Sequence, residues 1–436
     1  MTTVHNTFKY ENLWHTLVED KVSFPALQNN ETADVCIIGA GFTGLSAAIH
    51  LAEQGKSVII LEAQHVAYGG SGRNVGLVNA GTWNKPDFMV DILGKEMGEN
   101  LVTALGDAPK LVFSIINKYG IDAQQQEVGT LHMAHSEKGV PELQDRYEQL
   151  TRRGAPVELL TGTRIEEYSG SKKIPAALLD HRAGTVNPFA YATGLAKTAA
   201  KLGVKIFEHS PVDSVNCEKP GEGFATALDH TVRAEKVIIA TNAYAEGELS
   251  EYRQAVYSGY YYQVASEPMG EAGTTVLPYK QGSWDTRLVL SSIRLDKDGR
   301  LILGSMGKGI NKPVWYLKAW ADRIQQHYFP QLGTQMNWEY SWCGRIGFTD
   351  NHTPKIFEPA PGLIAAIGYN GRGITTGTLI GKLFADHLTD QEVAPIPLPF
   401  FSSVDQSKCN YSQMKSLFME SGFTMYHLGQ CLKVIR

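Results

Sequence analysis

Residues 34–62, DVCIIGAGFTGLSAAIHLAEQGKSVIILE, restrict the fold more than any other stretch of this chain. The apolar run 35–38 has the composition of a buried parallel strand. Gly39, Gly41 and Gly44 follow at GxGxxG spacing, and Leu45, Ala48, Ile49 and Ala52 then recur at the helical period. Gly55 stops the predicted helix, and 58–61 form a second apolar strand ending on Glu62. Gly39 allows the tight turn, Gly41 lets a pyrophosphate approach the backbone, and Gly44 lets helix and strand pack closely. The helix N-terminus offers free N–H groups and the positive end of a dipole. Glu62 stands where a ribose diol would find an acceptor. The strand–turn–helix setting and the well-placed acid predict a dinucleotide site in a Rossmann-like α/β lobe. A membrane span over 35–52, long enough and uncharged, is set aside by the three glycines, Thr43, Ser46 and His50.

At 436 residues the chain is long enough to divide into two lobes. Its 43% hydrophobic and 19% charged residues are those of a soluble globular protein. A net charge of −5 gives no electrostatic case for nucleic acid or an anionic membrane. No transmembrane segment is expected; peripheral membrane contact is left open. The cysteines Cys36, Cys217, Cys343, Cys409 and Cys431 are scattered, with no CxxC pair, which points to a reducing compartment. Residues 1–34 lack the basic start and apolar run of a secretory signal, so a cytoplasmic location is expected.

Further along, 63–83 are glycine-rich with Arg73 and Asn74 among the glycines, a composition that brings backbone close to something flat or charged. Helices are predicted over 93–118, 140–153, 189–202 and 315–329. Strands are predicted over 128–136, 204–212, 232–243, 257–267, 287–294 and 300–305, the last two joined at Lys297-Asp298-Gly299. His132 and His135 form an HxxH pair, but an odd separation in a strand sends them to opposite faces, and no metal site is expected. Tyr260, Tyr261 and Tyr262 read as core aromatics without a catalytic role. The strand predicted over 363–367 runs into GYNGRG and a helix over 375–387, repeating the opening architecture. A second helix N-terminus aimed into the fold could stabilise negative charge on a reduced ring system.

The nucleotide lobe is thus expected in three pieces, 1–92, 161–250 and 341–398. Insertions at 93–160 and 251–340 form an α+β substrate lobe with an antiparallel sheet, and 399–436 form a C-terminal tail.

The order GxGxxG, Glu62, GSGRN, ATNA, WxGRxxxTxD and GYNGRG resembles the D-amino-acid-oxidase-type family of FAD-dependent amine and amino-acid oxidoreductases over 33–387. SGRNVGLVNAG and GYNGRGITTGT are most similar to the bacterial L-pipecolate oxidase and γ-glutamylputrescine oxidase group. The resemblance implies FAD as cofactor. Gly39, Gly41, Gly44 and Glu62 would take its ADP half, and Ser71, Gly72, Arg73 and Asn74 would lie along the flavin. Val212 and Ala240 would serve the nucleotide from their strands. Gly371, Gly373, Ile374 and Thr375 would face the pyrimidine end of the ring. Arg345, five positions before Asp350, matches the carboxylate-binding arginine of GLRPxTxD segments in glycine and D-amino-acid oxidases; a guanidinium suits a carboxylate through two parallel hydrogen bonds. A structural arginine is the competing role, and Arg294 is a weaker candidate for the same task.

Two departures bear on the chemistry. Thr375 stands where monomeric sarcosine oxidases carry a lysine. Gly344, beside Cys343, stands where their flavin-linking cysteine would fall, so non-covalent FAD is expected. The expected reaction is oxidation of a small amine or imino acid to an imine, with L-pipecolate first and γ-glutamylputrescine as the alternative. Oxygen or an electron-transport acceptor would reoxidise the cofactor. A pyridine-nucleotide-dependent flavin reductase would need a second fingerprint and a redox CxxC, which are lacking, and a non-catalytic flavoprotein is the other class.

Overall fold

The computed structural model describes residues 8–217, 222–334, 336–389 and 395–431. Two sheets organise them. In the first, Glu31–Ile38 lies between Val58–Leu61 and His230–Ile239, all three parallel. Lys205–Phe207 extends the sheet beyond Val58–Leu61, and Leu363–Ile367 extends it beyond His230–Ile239, again in parallel. Lys355–Ala360 and Phe400–Phe401 complete one edge, while Gly223–Ala227 and Val212–Asn216 add an antiparallel flap.

These strands are apolar on both faces because both are covered. Val35, Ile37, Val58, Ile60 and Ile238 point into one core with the helices Phe42–Glu53, Pro188–Lys201, Lys95–Tyr119 and Gly373–Leu388. Cys36, Ile38, Ile59, Leu61 and Ile239 point into the other, with Leu249 and Tyr252. The period-2 split of one continuous apolar run into two cores is what a buried parallel strand requires. Phe42–Glu53 and Gly373–Leu388 touch through small residues: a Cβ at Gly381 would stand 2.4 Å from the Thr43 carbonyl oxygen.

The second sheet has eight strands in the order Trp338–Phe348, Tyr257–Pro268, Arg300–Met306, Ser291–Leu295, Gly282–Asp285, Thr130–Met133, Ala176–Asp180 and Val157–Thr161. It is antiparallel except where Gly282–Asp285 runs beside Thr130–Met133. The helix Val314–Tyr328 covers one face through Leu317, Trp320 and Ile324. Ser291–Leu295 and Arg300–Met306 pair around the turn expected at 297–299, where Gly299 has φ +77°.

Several borders move. Val157–Thr161 and Ala176–Asp180 belong to the second sheet, so the first excursion reaches Asp180, past the expected border at 160. The expected border at 340 falls inside Trp338–Phe348, and the helix Lys95–Tyr119, assigned to the substrate lobe, packs in the nucleotide-side core. Pairing partners far away in sequence decide these borders, and the local pattern carries no record of them.

The N-terminal arm, of which 1–7 lie outside the described residues, touches both sheets. Lys9 exchanges backbone bonds with the strand Trp338–Phe348. Asn12 Nδ2 donates to the Gly72 carbonyl at 2.7 Å, and buried Trp14 donates through Nε1 to the Asn74 carbonyl at 2.8 Å. The arm therefore clamps the glycine-rich segment. No helix among the described residues is long and apolar enough to cross a membrane.

Candidate active site

At the end of Glu31–Ile38 the chain turns at Gly39, whose φ of +104° favours glycine and whose N–H donates to the Leu61 carbonyl at 2.8 Å. A Cβ at Gly44 would stand 2.1 Å from the Gly39 carbonyl oxygen, so helix and turn close on each other only without a side chain. Gly41 caps the helix, and the Phe42 N–H donates to Ser71 Oγ at 3.1 Å. Glu62 accepts from the Ala40 N–H at 2.8 Å and the Gln64 N–H at 3.0 Å; burial pushes its carboxyl above the usual range.

A cavity of about 760 Å³ begins here. Gly39, Gly41, Glu62, Ser71, Asn74, Val212, Ala240, Gly371 and Gly373 line it, while Gly44 and Gly72 sit behind the wall as close-packing positions. The chemistry of this wall fits FAD: bare backbone at a helix N-terminus for the pyrophosphate, a carboxylate at the second strand end for the ribose, and room beyond. Asn74 holds the glycine-rich turn, donating to the Gly70 and Ser71 carbonyls and accepting from the Gly76 N–H. Arg73 stacks over Tyr68, 4.3 Å from the ring centroid, and its carbonyl accepts from Gln263 and Trp342 of the second sheet.

The second glycine turn lies opposite. Leu363–Ile367 leads through Gly368, Asn370 and Gly371, all with positive φ, into the helix Gly373–Leu388. Asn370 Oδ1 accepts from the Thr349 N–H, and Asn242 Oδ1 accepts from the Gly368 N–H. Thr375 is buried within the first turn of the helix, with its hydroxyl 3.5 Å from the Arg372 carbonyl.

A smaller cavity of about 220 Å³ adjoins the first. Gly70, Asn74, Arg345, Ile346, Asn370, Gly371 and Gly373 line both. Arg73, Gly344 and Ile374 line the smaller one, with Tyr257, Tyr261, Trp284, Leu290, Met306, Phe348, His352 and Arg372. Among the described residues, no aspartate or glutamate lines it. Arg345 is mostly buried, stacks 4.6 Å over the Tyr244 ring and accepts positioning from the Tyr244 hydroxyl, which receives the Arg345 backbone N–H at 2.8 Å. Its acidic neighbour among the described residues, Glu246, is 3.9 Å away and largely exposed, so no buried partner among them neutralises the guanidinium.

Arg294 is placed differently from the sequence expectation. It lines neither cavity. Its Nη1 donates to the carbonyls of Val75 at 3.0 Å, Gly76 at 3.1 Å and Val186 at 2.7 Å, and its plane lies 4.9 Å from the Trp14 ring. A guanidinium occupied in this way braces the glycine-rich segment instead of facing a substrate. Val212 and Ala240 line the larger cavity from their strand ends.

Cys343 is buried in the core with Trp320 and Tyr262, and burial pushes its thiol up to about 11. Strand alternation gives the cavity face to Gly344. His132 stacks on Trp284 with centroids 4.9 Å apart, and burial holds its imidazole neutral, whereas His135 bonds Thr286 at 2.7 Å. Sequence reasoning missed Tyr244, Trp284, His352 and Arg372. Only Arg372 carried a signal, its place in GYNGRG; the others join the site through tertiary contacts alone.

A large cavity at a glycine turn between strand and helix, with a smaller chamber beside it, is the arrangement of a dinucleotide-binding protein. The family model described as FAD dependent oxidoreductase (DAO) matches residues 34–387, and the chain belongs to that family. It is an FAD-dependent oxidoreductase. A Haemophilus influenzae protein named probable oxidoreductase OrdL is 31% identical over 370 residues, covering 83% of this chain and 84% of its own. The gamma-glutamylputrescine oxidoreductase of Escherichia coli K12 is 29% identical over 377 residues, covering 84% of this chain and 85% of its own. The crystal structure of glycine oxidase from Geobacillus kaustophilus superposes with a TM-score of 0.69 at 22% identity, covering 84% of this chain and 96% of that one.

Proposed function

We propose that this protein oxidises the C–N bond of a small imino acid to an imine, with L-pipecolate as the first substrate to consider. The observation that carries this is the charge pattern of the smaller cavity: Arg345 on its border with the larger cavity, no acidic residue among the described lining, and apolar walls of Leu290, Met306 and Phe348. A substrate carboxylate would pair with Arg345, and a carbocyclic body would fill the apolar end. Bound FAD supplies the two-electron acceptor for the C–H bond next to nitrogen. Gly39, Gly41 and Glu62 would hold its nucleotide half, and the helix beginning at Gly373 would favour negative charge at the ring's far edge.

The chain's own part is orientation and exclusion of water. Burial lowers the pKa of His352 and raises those of Tyr257 and Tyr261, so the cavity contributes no charged base near neutral pH. The substrate nitrogen is taken to arrive as the free amine, which needs no dedicated base. A second reading, γ-glutamylputrescine as substrate, draws on the 29% identical relative of that name. Its distal ammonium would find no carboxylate among the described residues of the cavity wall.

Anaerobic titration of the purified flavoprotein with L-pipecolate, following loss of oxidised-flavin absorbance, tests the proposal. Fast bleaching supports it. Bleaching by γ-glutamylputrescine and not by L-pipecolate moves the assignment to the second reading, and no bleaching by any amine overturns both. Admission of oxygen or of a quinone-type acceptor afterwards identifies the reoxidant.

A further inference from the structure

The smaller cavity is not finished by the residues that match the family. Met419 and Phe423, both on the helix Ser412–Cys431, line its apolar end, and they lie beyond residue 387 where the family match stops. They are one helical turn apart and join Met306, Phe348 and Tyr261 in a single apolar cluster.

The helix is fixed there by a specific match of periods. Tyr257–Pro268 pairs with Arg300–Met306 only from Tyr261 onward. The backbone N–H groups of Ser258 and Tyr260 on that edge donate instead to Ser416 Oγ at 2.8 Å and Glu420 Oε1 at 2.9 Å. Donors two residues apart on a strand repeat at about 6.7 Å, and side chains four apart on a helix repeat at about 6 Å, so one helix face can satisfy both. Further along the same face, the His427 ring lies 2.9 Å from the Met306 carbonyl. At the other end Lys415 pairs with Asp350. Gly259 supplies the clearance: a Cβ there would stand 2.4 Å from the Met419 terminal methyl.

We infer that Met419 and Phe423 are specificity-determining residues, and that the C-terminal helix limits the cavity to amino or imino acids with a compact apolar body. This rests on the proposed reading that the smaller cavity takes the substrate. A substrate prolonged at the end remote from its carboxylate would meet these two side chains.

The test uses binding as well as turnover, so that it does not fall with the choice of substrate. Full-length flavoprotein is titrated with cyclohexanecarboxylate and with 4-butylcyclohexanecarboxylate, reading the perturbation of the flavin spectrum. The wild type should prefer the compact acid by at least about tenfold, which corresponds to about 1.4 kcal/mol. Met419→Ala/Phe423→Ala should reduce that preference at least tenfold, chiefly by binding the longer acid better, with FAD content unchanged. Gly259→Ala should weaken both acids, and Gly259→Ala/Met419→Ala should regain much of the loss. An unchanged preference in the double variant with full FAD content overturns the inference. If that variant does not fold, the Gly259 pair decides: no recovery when Met419 is shortened also overturns it. Neither acid perturbing the wild-type flavin would instead strike the reading of the cavity itself, as would failure of every amine to bleach it.

Discussion

The pyrophosphate end of the large cavity and the apolar end of the small one are assembled in opposite ways. The first is made by a short run of chain, from Ile38 through Glu62 to Asn74, in which a strand, a turn and a helix fix each other locally. The second needs Trp284, Met306, Phe348, Met419 and Phe423, which come from separate strands and the C-terminal helix. A ligand common to a family can be met by backbone and glycines. A ligand peculiar to one member has to be met by side chains, and those come from wherever the second sheet brings them.

The comparison is broken most severely at Gly44. Gly44→Val places a side chain where 2.1 Å separates a Cβ from the Gly39 carbonyl oxygen, and the protein should emerge without flavin colour. Retention of FAD would deny the turn its controlling role. Next is Arg294→Met, which removes the guanidinium donor from the Val75, Gly76 and Val186 carbonyls, of which Gly76 keeps the Val186 N–H. Unfolding free energy should fall by about 3 kcal/mol, while KM for the amine changes less than in Arg345 variants. A raised KM with unaltered stability would return Arg294 to the substrate.

Arg345→Ala should raise KM for L-pipecolate by roughly a hundredfold, about 2.7 kcal/mol. Arg345→Lys should recover only part, since an ammonium cannot pair with both carboxylate oxygens in parallel. An unaffected KM would leave Arg345 as a brace like Arg294. Cys343 sharpens the contrast between core and cavity. With its thiol pushed up to about 11, roughly one molecule in a thousand carries the thiolate at pH 8. Alkylation should be slow, and acid precipitation should release all FAD; flavin remaining with the polypeptide would overturn non-covalent binding.

The smallest effect lies at the edge of the cradle. Asp34 accepts from the Ser57 N–H and hydroxyl, which hold its carboxyl below the usual range. That contribution is complete above the ordinary carboxylate pKa of about 3.9 and is lost as pH falls through the lowered value. Asp34→Asn should therefore lower neutral stability slightly and flatten the acid arm of the stability–pH curve, converging with the wild type at low pH, as thermal unfolding across pH would reveal.

Residues 34–62 and 363–388 could be read directly because their constraints are short-range. Apolar alternation, glycine where a Cβ would collide, and an acid at a strand end are all written within one or two turns of chain. The helices at 140–153 and 315–329 were legible for the same reason. The two arginines were not separable by such means: Arg294 and Arg345 are both single cations in strands, and only their partners distinguish them. Three carbonyls occupy the one, and a tyrosine ring with a distant exposed glutamate leaves the other open.

By itself, then, the sequence determined the dinucleotide lobe, its cofactor class and the two glycine turns, because each is a local steric or hydrogen-bonding demand. Only the tertiary structure decided which arginine faces the chamber, that the first excursion runs on to Asp180, and that the C-terminal helix supplies Met419 and Phe423 to the wall. Those pairings and contacts join residues tens to hundreds of positions apart, beyond the reach of a local pattern.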